Sequence, residues 1–285
     1  GERAKARGIR IGFEALAWGR HINDHRDAWE VVRRADHSHV GLILDSFHTL
    51  SRKIDPDTIR AIPGDKIFFV QLADAPLIDM DLFYWSRHFR NMPGEGDLPV
   101  VDFMRAVSST GYAGPLSLEV FNDQFRGGSP VEIARDGHRS LLGLMDDVRR
   151  SEPDIRLPVP DMPPRAQCAG VEFIEFTTSE EEAADLADFL SVMGFVPVGN
   201  HVSKQVAHWR QNEINILINT EESGFAHSAY QTHGTSVCDI AFRVDDAVSA
   251  MERARLLGAE IVTPPAGRGE LAIPAIKGVG GGILR

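Results

Sequence analysis

Four short apolar runs in the first half of the sequence, each closed by a polar side chain, restrict the fold more than any other feature. Residues 9–15, 40–46, 67–73 and 115–121 are near-continuous in apolar side chains. Strands covered on both faces of a parallel sheet read this way, whereas a strand with one wet face alternates. Between and after them lie stretches of helical periodicity at 26–35, 55–61, 100–109 and 130–150. The last sets Ile133, Leu141, Leu142 and Met145 on one side and charges on the other. Strands alternating with helices are βα units around a parallel sheet, so an α/β fold of the (β/α)8 barrel type is expected over residues 1–150. A complete barrel needs ~250 residues, so these are expected to form only its C-terminal half.

Residues 151–166 carry five prolines and no usable periodicity, which predicts a semi-rigid linker. Beyond it, strands are expected at 168–176, 201–209 and 213–219, with a helix at 180–193 closed by Gly194. The pattern then repeats as a strand at 236–244, a helix at 245–257 closed by Gly258, and strand-like pieces at 260–263, 271–275 and 281–284. Val171-Glu172-Phe173-Ile174-Glu175-Phe176 matches Val237-Cys238-Asp239-Ile240-Ala241-Phe242 in pattern, and Met193-Gly194-Phe195 echoes Leu257-Gly258-Ala259. Residues 167–285 are therefore expected to hold two tandem βαβββ modules.

Composition removes several classes of function. A net charge of −11 leaves no basic face for nucleic-acid phosphates. No apolar run approaches the ~18–20 residues of a membrane helix. With only Cys168 and Cys238, a disulfide framework is not expected, and a reducing cytoplasm is the default compartment. Residues 1–8 lack an initiator Met and read as the last turn of a helix, and the sequence ends beside a strand pattern. Both edges read as cuts within a longer protein.

In a βα barrel the chemistry sits at the C-terminal ends of the strands. There the four runs place Glu14, Asp45, Gln71 and Glu119. Three carboxylates converging on one point repel unless a cation neutralises them. Oxygen donors favour a hard divalent ion, Mg²⁺ or Mn²⁺, with Co²⁺ also compatible. His48, three residues past Asp45, is expected to face the same pocket from the following loop and to move a proton on or off a bound substrate. Against this stands the alternative of a hydrogen-bonded loop histidine. His21, His25, His37 and His39 fall in predicted loops or helix ends and are expected mostly at the surface, with His21 placed to line the pocket. A long loop over residues 86–96 offers Arg90 to clamp a carboxylate and Ser86 to add a hydrogen bond.

The segments FEALAWGRH, LILDSFHTL, FVQLADAP and LSLEVFND resemble the metal-binding strands of sugar-phosphate isomerase/epimerase-like barrels. More closely, they resemble the bacterial 3-dehydroshikimate dehydratases fused to a 4-hydroxyphenylpyruvate-dioxygenase-like domain. This resemblance implies metal-ligand roles for Glu14, Asp45, Gln71 and Glu119 and substrate contacts for Arg90 and Ser86. Gln71 stands where many such isomerases place a histidine. The implied activity is a metal-dependent lyase acting on a small molecule, converting 3-dehydroshikimate to protocatechuate. A sugar-phosphate or keto-sugar isomerase or epimerase would use the same metal and the same enolisation without expelling water.

The segments WRQNEINILINTE, HGTSVCDIAFRVDD and LAIPAIKGVGG resemble the N-terminal half of 4-hydroxyphenylpyruvate dioxygenases, of the vicinal-oxygen-chelate superfamily. Metal-binding halves of that superfamily hold Fe²⁺ through two His and one Glu. Here the matching strand positions are Phe173 and Asp239, so no iron site is expected. A structural, interface-forming (homo-oligomer) or regulatory role is expected instead, with a dioxygenase-like protein or a non-catalytic binding module as further alternatives.

Overall fold

The computed structural model describes residues 1–263 and 270–285. The chain divides into two compact units, Gly1–Asp161 and Met162–Arg285.

The first unit opens with α1 (Glu2–Lys5), followed by β1 (Ile11–Glu14), α2 (His25–Ala35), β2 (Val40–Asp45) and α3 (Ser46–Leu50). Next come β3 (Ile67–Leu72), α4 (Leu82–His88), α5 (Val100–Ser109), β4 (Leu116–Leu118) and α6 (Pro130–Ser151). The four strands form one sheet in the order β1-β2-β3-β4, all neighbours parallel. Leu42, Leu44, Val70 and Leu72 are buried within it and share one core with Val100, Phe103, Met104 and Val107 of α5. Burial on both faces accounts for the apolar runs of β2 and β3, whereas Ile9 and Ile11 of the first run are exposed and β4 is half-buried, short of the expected burial. Register brings the strand ends level, with Asp45 beside Gln71, Leu72 beside Leu118, and the Glu119 amide bonded to the Leu72 carbonyl at 3.0 Å.

Several local expectations are corrected. The stretch 55–61 is a 3₁₀ turn, Pro56–Ala61, rather than an α-helix. The fourth strand is shorter than its apolar run, so Glu119 lies one residue past it. His48 sits on α3, and Ser86 on α4, where loops were expected. Both helices begin at an aspartate cap: Asp45 accepts from the His48 amide, and Asp81 from the Tyr84 amide. His25, expected at the surface, is buried at the start of α2, with Nε2 2.8 Å from the Thr58 hydroxyl.

The second unit contains β5 (Cys168–Thr177), α7 (Glu180–Val192), β6 (Val196–Asn200), β7 (Val206–Gln211), β8 (Ile214–Asn219) and α8 (Gly224–His233). It continues with β9 (Ser236–Val244), α9 (Ala247–Leu256), β10 (Ile261–Val262), β11 (Ala275–Lys277) and β12 (Ile283–Leu284). Its eight strands run in the order β10-β11-β12-β9-β5-β8-β7-β6. The two βαβββ modules meet where β5 and β9 pair antiparallel. Both module helices end at a left-handed glycine, Gly194 and Gly258, as expected of such caps. The strand expected at 201–209 begins only at Val206, as β7; β6 forms ahead of it where no strand is expected, and 271–274 is not strand. The helix α8 was not anticipated, and the first part of the segment after β10 lies outside the described residues.

Candidate metal centre

The strand ends of the first unit form a charged cluster. A carboxylate oxygen of Glu14, one of Asp45 and a ring nitrogen of His48 all lie within 4.8 Å of one another, a grouping able to hold a metal ion. Gln71 joins through Glu119, donating from Nε2 to Oε1 at 2.9 Å. The side-chain oxygen of Gln71 is buried and has no donor. Buried amide oxygens are almost always satisfied, so this lone pair, on a side chain bonded to Glu119, fits a cation that accepts it.

Arg90 underlies the cluster and is 0% exposed. Its Nη1 donates to Asp45 Oδ2 at 2.8 Å and Glu119 Oε2 at 2.9 Å, while Nε and Nη2 reach the Ser86 hydroxyl at 3.1 and 2.7 Å. The guanidinium also lies 4.7 Å from the Phe47 ring centre and 5.4 Å from that of Phe121. Ser86 and Arg90 are thus brought together beneath the carboxylates, each engaged with the other.

Burial, then the charges of Asp45 and Glu119, push Glu14 up to about 7, with Arg90 opposing. Burial and a hydrogen bond with Asp45 push Glu119 up to about 7 as well. Burial also works against ionising Asp45, but the Arg90 charge and hydrogen bonds from Glu119 and Arg90 outweigh it and hold that carboxyl below its ordinary value. The cluster therefore favours one ionised carboxylate on the arginine and leaves Glu14 and Glu119 only partly ionised near pH 7 until another cation arrives.

Burial lowers His48 to about 4, so its ring is neutral near pH 7. Its Nδ1 accepts from the Ala17 amide at 3.3 Å. A neutral ring with Nδ1 accepting carries its proton on Nε2. That nitrogen faces Glu14 Oε1 at 3.8 Å and Asp45 Oδ2 at 3.9 Å. The longer 3.5 Å approach of Arg90 Nη2 to Nε2 is then a contact, because Nε2 has no free lone pair. The sequence gives no hint of the Ala17 contact, which comes from the chain after β1 folding over α3. Trp18 adds an edge-on ring 4.9 Å from His48 and 5.1 Å from Phe83. None of these aromatics was singled out in the sequence.

The second unit shows no comparable grouping. Among its described residues no three His, Cys, Asp or Glu side chains share a metal-sized space. Phe173 pairs with Ala241, and Asp239 is buried and bonded to Arg285 Nε at 2.6 Å. His208 bonds Asn215, His201 follows β6, and His227 and His233 lie on α8.

A parallel βα sheet with a charged cluster at its strand ends, followed by a βαβββ pair, defines the class. The chain belongs to the xylose isomerase-like TIM barrel family, whose model matches residues 1–144. The hydroxyphenylpyruvate dioxygenase (HPPD) N-terminal family model matches residues 164–285. Over its whole length the chain is 46% identical to a 3-dehydroshikimate dehydratase of Pseudomonas putida, covering 46% of that protein. It is 48% identical over 99% of its length to the 3-dehydroshikimate dehydratase of Pseudomonas aeruginosa, covering 45%. A solved "xylose isomerase-like TIM barrel/4-hydroxyphenylpyruvate dioxygenase fusion protein" superposes on 99% of the chain with a TM-score of 0.91 and 46% identity, over 46% of its own length. The chain spans about half the length of the curated relatives it matches. Among the described residues no helix is long and apolar enough to cross a membrane.

Proposed function

We propose that the barrel unit binds one divalent cation through Glu14, Asp45, Gln71 and Glu119 and belongs to an enzyme that dehydrates 3-dehydroshikimate to protocatechuate. The observation that carries this reading is the convergence of these strand-end side chains in a chain 46% identical along its whole length to a 3-dehydroshikimate dehydratase. Mg²⁺, Mn²⁺ and Co²⁺ all suit a donor set of carboxylates and an amide oxygen. When bound, the ion supplies polarisation of the substrate ketone, which acidifies the adjacent C–H.

The chain's own residues divide the remaining work. Arg90 holds Asp45 and Glu119 in fixed positions, since its donors are committed to them and to Ser86. His48, neutral and protonated on Nε2, is a donor toward the departing hydroxyl rather than the base. The base is then a carboxylate of the cluster, which takes the α-proton and passes it to the β-hydroxyl, and this leaves as water while His48 Nε2–H hydrogen-bonds its oxygen. Tautomerisation of the ketone to the phenol completes the aromatic ring. Trp18, against His48, and Phe121, against Arg90, are half-buried aromatic side chains of the kind that suits a flat ring.

The test is to incubate metal-loaded protein with 3-dehydroshikimate and follow protocatechuate by its ultraviolet absorbance. Formation of the aromatic acid supports the dehydratase. Aldose–ketose interconversion without it would assign the site to an isomerase instead.

A further inference from the structure

If Arg90 is consumed in holding the carboxylates, some other cation must meet the carboxylate of a dehydroshikimate-like substrate. Its Nε, Nη1 and Nη2 all already have side-chain partners, and its side chain has no exposed surface. Without displacing Ser86 or a cluster carboxylate, a substrate carboxylate could meet only the second Nη2–H, which is buried against His48 Nε2 at 3.5 Å.

We propose that Arg87, one residue after Ser86 on α4, is the substrate-binding residue that receives the ring carboxylate; this rests on the dehydratase reading above. Three observations meet at this side chain. It is exposed, and among the described residues no carboxylate is paired with it. It is nevertheless fixed, its guanidinium lying 4.8 Å from the ring centre of Phe121 and 5.8 Å from that of Phe83. Both rings tie it to the cluster. Phe121 is shared with Arg90, and Phe83 touches Trp18, which touches His48.

An arginine stacked on aromatic faces keeps its in-plane N–H donors free and already oriented, so little side-chain freedom is lost when an anion binds. The substrate's geometry agrees with this placement. Its ketone and neighbouring hydroxyl must sit at Glu14, Asp45 and Glu119, so its carboxylate, on the opposite side of the six-membered ring, points away from the cluster. Arg20, on the loop after β1, is also exposed, but no aromatic ring among the described residues orients it.

The test compares protocatechuate with its methyl ester, which keeps the ring and vicinal oxygens but loses the charge. Each is titrated by calorimetry into Mn²⁺-loaded protein. The wild type is expected to prefer the acid by about 10- to 100-fold, the range of one charge-assisted hydrogen-bonded pair. Arg87→Met should bring the two ligands within about 2-fold while leaving ester affinity unchanged, Arg87→Lys should restore part of the preference, and Arg20→Met should keep all of it. A preference that survives Arg87→Met, or disappears in Arg20→Met, overturns the assignment and leaves the dehydratase reading standing. A wild type that binds the acid no better than the ester overturns the assignment together with carboxylate recognition by this site.

Discussion

Gln71 donates from Nε2 to Glu119 Oε1 at 2.9 Å, and the bond leaves its own carbonyl oxygen buried without a donor. One amide thus fixes the orientation of a carboxylate and keeps a buried lone pair without a donor. Its replacement separates a ligand from a strand filler. Gln71→Leu keeps the bulk, removes both contacts, and is expected to weaken divalent-ion binding at least ~10-fold, while the thermal midpoint of the metal-free protein rises or stays level as the unsatisfied oxygen is lost. Calorimetric titration with Mn²⁺ and a melting curve without metal check the two halves.

Protonation of Glu14 and Glu119, both held up to about 7, sets a second expectation. Ligation requires the ionised carboxylates, so metal affinity should fall as pH is lowered from 8 to 6, and binding near pH 6.5 should release protons. Proton release is measured by titrating in buffers of different ionisation enthalpy. The sign for stability is opposite. A carboxyl whose folded value is raised contributes stability that is present below its unfolded value near 4.5 and lost as pH rises through about 7. Metal-free protein should therefore lose stability between pH 5 and 8, and saturating metal should abolish that slope.

Arg90 supplies a third. Its ion pairs with Asp45 and Glu119 are buried on the arginine side and at Asp45. Truncating one partner of such a pair strands the other charge and costs roughly 3–5 kcal/mol. Arg90→Met should lower metal-free stability by about that amount, measured by denaturant unfolding. Added Mn²⁺ should recover more of the loss than it adds to the wild type, because a cation then neutralises Asp45.

Asp74, just past β3, tests how the loop carrying these groups is held. Its carboxylate accepts from the amides of Ala75 and Leu98 through Oδ1 and of Gly94 through Oδ2, and its backbone pairs with Asn91. The next residue back from Asn91 is Arg90. Asp74→Ala leaves buried amides unpaired and should cost on the order of 3 kcal/mol, read as a lower unfolding midpoint, with faster hydrogen exchange at residues 94–98.

What the sequence made legible follows from strand periodicity. The apolar runs predict both-face burial and locate the strand ends, so Glu14, Asp45, Gln71 and Glu119 could be named together from residue order alone. The two βαβββ modules were legible for the same reason, helped by Gly194 and Gly258. Short helices were not. Four or five residues give no period, and α3 starts on the same Asp45 that serves the cluster, so its capping role was hidden behind its charge. Likewise Ser86 reads as loop because Pro76 and the aspartates before α4 mask the two short helical turns opened by Asp81, whereas Arg90 lies past the helix in the loop, as expected. The engagement of Arg90 with Asp45, and of His48 with the Ala17 amide, are contacts between distant segments that no local pattern encodes.

The four-ligand metal site is tested most directly by the stoichiometry of Mn²⁺ binding to the wild type and to Glu119→Ala. A single ion is predicted on the wild type, with loss of that ion, or at least a tenfold weaker affinity, in the variant. Equal metal content in both, or no stoichiometric binding to either, would contradict it.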